Sequence, residues 1–349
     1  MNAQYPITTT PKYNFPLAEE NTQLPQKLVE LSLSFLKQTQ QLQTKNPTTD
    51  YPKHLTTTPT TLKPNPTKTP IVAIDVSSIR LGETETGILL AVRGAIVWKQ
   101  NSRYRYLRLG PFPFHITETS RNEIEMLFCQ QHHQTRHLQE YTAPNILYIQ
   151  TKLTTLLERW IQRSVSQTTH NSLILWDGSL TAGTSETPMQ TMNQLLRESR
   201  ANQNTILAFS KMTRLLFDGH RITDTISDSP PPCLLKMEGY PQHVGPLRLM
   251  GNVYVAKLSK SSYAFRLDAD KQLSHAQTVE AVQKLLGNDL ILQSYPETLR
   301  LAHIFSTFTA TEVLGIQRCV AKEGGVKIVT RPNVRRMLFG RFGKGPEGG

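Results

Sequence analysis

Apolar residues fall in short dense runs along this chain, and the places where the runs break divide it into elements. Ile71-Val72-Ala73-Ile74 ends on Asp75, and Leu173-Ile174-Leu175-Trp176 ends on Asp177-Gly178-Ser179-Leu180. Such compact runs, closed by a polar residue and a Gly/Ser turn, predict buried strands. Further strands are predicted at 87–92, 95–99 and 104–109, with Arg93-Gly94 read as a tight turn of an antiparallel meander, and then at 204–209, 252–257 and 262–267. Apolar positions at helical spacing predict helices at 119–140, 145–165, 187–200, 275–287, 297–307 and 310–322.

Meander, helix, strand, helix, strand is an order with consequences. It predicts an α/β fold of ribonuclease H-like type, a mixed sheet flanked by helices in which Asp75 and Asp177 stand close together. Residues 326–349 read as a basic, Gly-rich tail behind a main domain over 70–325. Ahead of that domain, residues 1–44 form an extension with one amphipathic helix, placing Leu28, Leu31, Phe35, Leu36 and Leu42 among Lys and Gln. Between them lies a linker, 45–69. Fifteen of the 26 residues from 45 to 70 are Thr or Pro, a composition that favours extended chain over a core element.

Charge narrows the partners. Lys and Arg outnumber Asp and Glu 39 to 27, a formal net charge of +12, so polyanions are the first to consider. The three cysteines, Cys129, Cys233 and Cys319, are odd in number and far apart, which predicts neither a disulfide framework nor a paired Cys zinc site and fits a reducing cytoplasm. No apolar stretch has the length of a signal h-region or a membrane span, so the expectation is a cytoplasmic protein away from the membrane.

A carboxylate at the mouth of a buried strand is held rigidly yet meets solvent, which suits a hard divalent cation with open coordination positions. Two carboxylates rarely complete such a site, and Glu158, in Leu156-Leu157-Glu158-Arg159-Trp160 on the helix before the Asp177 strand, is the third candidate. Read alone, Glu158 beside Arg159 is more readily a solvated ion pair on an amphipathic helix. His303, in a predicted amphipathic helix, is either a partly buried histidine or a group that titrates near neutrality. Tyr295 packs ahead of Pro296 or orients water and phosphate, and Lys211 is a surface lysine or a point charge for a phosphate. Arg335 and Arg336, in a tail interleaved with Phe339 and Phe342, suit phosphates and unpaired bases. Cys129, His132, His133 and His137 make a competing zinc constellation, although no second cluster is near in sequence.

Taken together, Asp75 with Ser77-Ser78, the Glu158 helix, Trp176-Asp177-Gly178-Ser179-Leu180, Phe209-Ser210-Lys211, and Tyr295-Pro296 followed by His303 resemble the NurA nucleases over about residues 70 to 320. The resemblance implies a ribonuclease H-like core, a homodimer, cleavage of DNA with Mn2+ or Mg2+, two ions in all, and work with the hexameric ATPase HerA in processing DNA ends for repair. It makes Asp75, Glu158 and Asp177 the metal carboxylates, His303 a metal ligand or proton donor, and Tyr295 a completing catalytic residue. One departure is Val76, where the family usually has Gly after the Asp; a Cβ at a turn would restrict it. Two other readings arise from the same residues: a catalytically inactive ribonuclease H-like module that binds DNA or recruits the ATPase, and a nuclease acting on RNA or branched DNA.

Overall fold

The run that begins at Ile71 does not stop at Asp75. A computed structural model describes residues 58–124 and 146–329, apart from positions 102, 119, 185, 214, 241, 242, 245 and 246. Its main sheet has nine strands: β1 (Thr60–Thr61), β2 (Ile71–Glu83), β3 (Ile88–Gln100), β4 (Arg103–Ile116), β5 (Leu173–Asp177), β6 (Thr205–Ser210), β7 (Cys233–Lys236), β8 (Gly251–Lys257) and β9 (Phe265–Asp270). Five helices with described bounds pack on it: α1 (Ile146–Thr168), α2 (Met189–Ala201), α3 (His275–Asn288), α4 (Glu297–Ser306) and α5 (Ala310–Glu323).

Spatial order across the sheet is β1-β7-β8-β9-β6-β5-β2-β3-β4. The β2-β3-β4 meander is antiparallel, whereas β2, β5 and β6 run parallel, each parallel neighbour reached through a helical crossover. The fold is thus mixed α/β and ribonuclease H-like, as the order of predicted elements implies. These residues all belong to one compact unit, 51–349.

Alternation along β2 sorts the core into two layers. Ile71 and Ala73 join Leu175, Leu207, Phe209 and residues of α3 and α4, while Val72 and Ile74 join Ile161 and Val165 of α1 and Leu195 of α2. By the same parity Asp75 lies on the α4 side. Burial is complete at Ile71, Ile174 and Leu175, which explains why the strands read as unbroken apolar runs.

Several expectations need correcting. Asp75 does not close its strand, and Ser77-Ser78 is not a turn: β2 is 13 residues long because β3 pairs with it from Ile71↔Lys99 to Glu83↔Ile88. Val76 therefore occupies ordinary extended strand and packs into the apolar layers, so its Cβ restricts no turn. Nor is Arg93-Gly94 a turn. It sits at a β-bulge within continuous β3, where a Cβ on Gly94 would lie 2.3 Å from Ile161 Cδ1. That glycine lets α1 approach the sheet rather than reversing the chain. Strand β7 lies between the strands predicted at 204–209 and 252–257, where the sequence pattern predicts no element. The far part of the Thr/Pro segment is fastened down: Thr60 and Thr61 pair with β7, Leu62 is buried, and Asn65 N–H donates to Gln283 O at 2.8 Å beside Gly287, where a Cβ would strike the Asn65 carbonyl. The N-terminal helix, the earlier part of the linker, the Cys129–His137 constellation and the tail with Arg335 and Arg336 lie outside the described residues.

Candidate metal centre

Sheet register alone brings the two aspartates together. Ile71 through Ile74 pair with Leu173 through Trp176 on parallel strands, so the next pair in register is Asp75 and Asp177. Adjacent strands are about 4.8 Å apart, and in-register residues on parallel strands point to the same face. That face is covered by α4, which supplies His303; ligand atoms from Asp75, Asp177 and His303 all lie within 4.8 Å of one another.

Asp75 is gripped on one oxygen. Its Oδ2 accepts from His303 Nδ1 at 3.0 Å and from Ser306 Oγ, while Ser77 and Ser306 hydroxyls are 2.8 Å apart. With Asp75 ionised, His303 Nδ1 carries the proton, so the neutral ring presents its Nε2 lone pair. The His303 side chain is 47% exposed, against 12% for Asp75. Burial raises the Asp75 pKa; the Ser306 hydrogen bond offsets part of this, and the Asp177 charge adds to it.

The turn after Asp177 fixes that carboxylate. Gly178 takes φ +125, a backbone that L side chains rarely adopt; its N–H donates to Phe209 O at 2.8 Å and its carbonyl accepts from Ser210 Oγ at 2.7 Å. Leu180 N–H donates to Asp268 Oδ2 at 2.9 Å, and Asp268 is held by both ends of the Arg266 guanidinium. Asp268 and Ser306 were not singled out by sequence reasoning. An Asp two residues after an Arg on a predicted strand signals nothing by itself, and Ser306 three residues after His303 gains meaning only once α4 docks.

Lys211 Nζ donates to Asp177 Oδ2 at 2.6 Å and lies 5.4 Å from the centre of the Tyr295 ring. Tyr295 is buried edge-on to Phe209 and Phe265, and its hydroxyl makes no hydrogen bond of ordinary geometry. Burial, with the charges of Asp177 and Asp75, pushes its pKa up, so it is a neutral phenol beside the carboxylates.

Glu158 approaches from the opposite layer. It is partly buried on α1, not in an ion pair in open solvent, and accepts from Gln162 Nε2 at 2.9 Å. Its pKa is raised, by burial first and then by Asp75 and Asp177, with Arg159 opposing. It thus feels both aspartates without belonging to the three-residue cluster.

Fold and site together define a ribonuclease H-like protein with an acidic centre on its parallel strands. The NurA nuclease from Sulfolobus solfataricus has a similar structure, with a TM-score of 0.52 over 90% of this chain and 100% of that one at 14% identity, and the present fold is NurA-like. Looser likenesses, which add nothing to it, are another NurA structure (TM-score 0.39, 9% identity, 86% of this chain and 97% of that one) and a Ciona intestinalis endonuclease V in complex with DNA (0.37, 11%, 82% and 99%). No protein-family model matches the chain, and no curated protein matches it in sequence. No helix among the described residues is long and apolar enough to cross a membrane.

Proposed function

We infer that this protein is a metal-dependent deoxyribonuclease that hydrolyses phosphodiester bonds during DNA end processing and repair. The carrying observation is the convergence of Asp75, Asp177 and His303 within 4.8 Å on a NurA-like fold. Two carboxylates and an imidazole form an oxygen-rich donor set that suits Mn2+ or Mg2+, and their mutual repulsion is the kind a divalent cation relieves. Asp75, Asp177 and His303, with Glu158 joining from α1, would hold two ions.

Bound there, divalent cations would lower the pKa of water and neutralise charge on the scissile phosphate. The chain's own residues do the rest. Asp75 keeps Oδ2 on His303 and Ser306, leaving Oδ1 with no hydrogen bond among the described residues. Lys211, released when a cation takes Asp177, would meet a phosphate oxygen as a point charge. Tyr295, kept neutral, would donate a hydrogen bond to phosphate or water, and His303, when its Nε2 carries a proton instead of a cation, would protonate the leaving 3' oxygen. Arg335 and Arg336 would hold DNA beyond the site. By the same resemblance the protein would act in the cytoplasm as a homodimer fed by a HerA-type hexameric ATPase, with the nuclease domain at 70–325.

A second reading, a catalytically inactive module that binds DNA or recruits the ATPase, is favoured by two observations. Lys211 already neutralises Asp177, and Glu158 is turned to Gln162. End-labelled single-stranded DNA with Mn2+ separates the two readings. Cleavage abolished by EDTA and by Asp177→Asn supports the nuclease, whereas no cleavage even with the ATPase added supports the module.

A further inference from the structure

The last turn of a helix leaves four carbonyls without an intrahelical partner and frays unless something else meets them. In α4 that turn carries His303 and Ser306, the two residues that grip Asp75. Three of its carbonyls find partners. His303 O accepts from Thr307 N–H at 3.1 Å, Ile304 O from Thr307 Oγ1 at 2.9 Å, and Phe305 O from Arg108 Nε at 3.1 Å. Thr307 O, just past the helix, accepts from Arg93 Nη1 at 3.1 Å. Two guanidinium groups thus cap the C-terminal end of α4, where positive charge also meets the negative end of the helix dipole.

Both arginines come from the sheet. Arg93, at the β3 bulge, stands opposite Ser77 of β2, and Arg108 of β4 lies in line with Ala95 and Asp75 across the meander. Cross-strand partners share a face, so both lie on the side that α4 covers. Glu312 of α5 joins them: its Oε1 meets Arg93 at 3.0 Å and Arg108 at 2.7 Å, while Oε2 accepts from Thr309 N–H at 2.9 Å in the capping box that starts α5. Arg93 also covers the Phe308 ring, 4.3 Å from its centre. The corner between α4 and α5 is therefore fastened to β3 and β4 at both helix ends. Burial alone does not account for this choice of residues. The Arg93 side chain is 3% exposed and its Nε has no hydrogen-bond partner among the described residues, an arrangement that costs stability where an apolar side chain would not.

We propose that Arg93, Arg108 and Glu312 form a positioning network that locks the last turn of α4, so that His303 and Ser306 meet Asp75 in one fixed arrangement. Its purpose rests on the metal-dependent nuclease reading, whereas its effect on His303 is readable without metal.

The test uses the full chain with Arg108→Met, which removes both Arg108 contacts, and Glu312→Gln, which keeps the capping box but removes the charge between the arginines. Thermal melting checks that each variant is folded. In metal-free protein above neutrality, the 15N signals of the His303 ring, assigned with His303→Gln, report which nitrogen carries the proton. Wild type is expected as the Nδ1–H form, and both variants as a mixture with Nε2–H. Mn2+ affinity, read from free Mn2+ by electron paramagnetic resonance, should fall about tenfold in both variants, the low end for loss of a residue behind a metal ligand. Arg108→Lys, which keeps the charge but cannot fork to Phe305 O and Glu312 together, should fall between wild type and Arg108→Met.

Direction separates positioning from charge. Charge acting through space would tighten Mn2+ binding in Arg108→Met and weaken it in Glu312→Gln, and opposite shifts of that kind overturn the proposal. Wild-type His303 signals in folded Arg108→Met and Glu312→Gln also overturn it. If the wild-type protein binds no Mn2+, the metal-dependent reading fails, and the His303 signals alone decide the network: altered in both variants they support it, unchanged they overturn it.

Discussion

Ser306 donates its hydroxyl proton to Asp75 Oδ2 from 231 residues further along the chain. The same oxygen accepts from His303 Nδ1, so two residues of one helix, a turn apart, hold one oxygen of a β2 carboxylate and leave the other without a hydrogen bond among the described residues. Ser306 is fully buried, and Ser77 Oγ lies 2.8 Å from it to complete a short relay.

Removing that grip should loosen the metal. Ser306→Ala leaves Asp75 free to rotate, and loss of a partner that orients a ligand typically costs 10- to 100-fold in metal affinity. The expected result is about tenfold weaker Mn2+ binding, read from free Mn2+ by electron paramagnetic resonance, with Ser306→Thr closer to wild type. Equal affinity in Ser306→Ala would show the hydrogen bond to be packing alone.

Asp75 is held at a cost that its substitution should reveal. Burial and the Asp177 charge disfavour its ionised form, and an amide accepts the same two hydrogen bonds without charge. Asp75→Asn should raise the melting temperature of the metal-free protein by roughly a few degrees while abolishing cleavage. A lower melting temperature would show the carboxylate to be net stabilising.

The pH dependence has two parts of opposite sign. Asp75 and Glu158 have raised folded-state pKa values, so between their unfolded and folded pKa values the native state binds more protons, and stability falls as pH rises through that window. Glu312 runs the other way. Thr309 N–H, then Arg93 and Arg108, lower its pKa to about 2, so it contributes stability above its unfolded pKa that is lost as pH falls toward 2. Metal-free melting temperature should therefore rise as pH falls through the window below those raised pKa values and fall again as pH drops toward 2. Glu312→Gln should lessen that final loss. Mn2+ affinity should fall as pH falls, because protons and the cation compete for Asp75 and Glu158.

Gly178 carries a backbone prediction. Nothing lies within 4 Å of a Cβ there, so Gly178→Ala meets no clash and suffers only from φ +125. The expected destabilisation is about 1–3 kcal/mol by denaturant titration. Cleavage should drop further than stability does, since the turn aims Asp177. If the alanine variant matches wild type in both, the left-handed turn is not what positions the carboxylate.

Local physics made much of this protein legible from sequence. Strands buried on both faces must be apolar throughout, so Ile71–Ile74 and Leu173–Trp176 announce themselves, and the carboxylate after each run stands out against them. Helices α3 and α5 carry their own start signals, capping boxes at Ser274 with Gln277 and at Thr309 with Glu312. Whatever depends on a partner strand was not legible. A strand continues past a polar residue when its neighbour supplies hydrogen bonds, which is why β2 runs on through Asp75, Val76 and Ser77, and why Gly94 marks a close-packed bulge and not a turn. The assembly of the site belongs to tertiary structure for the same reason. Parallel register sets Asp75 beside Asp177, docking of α4 brings His303 and Ser306 onto Asp75, and the packing of α1 brings Glu158 near enough for both aspartate charges to act on it. Periodicity reports which residues are buried; only the packed fold decides which of the polar residues among them meet.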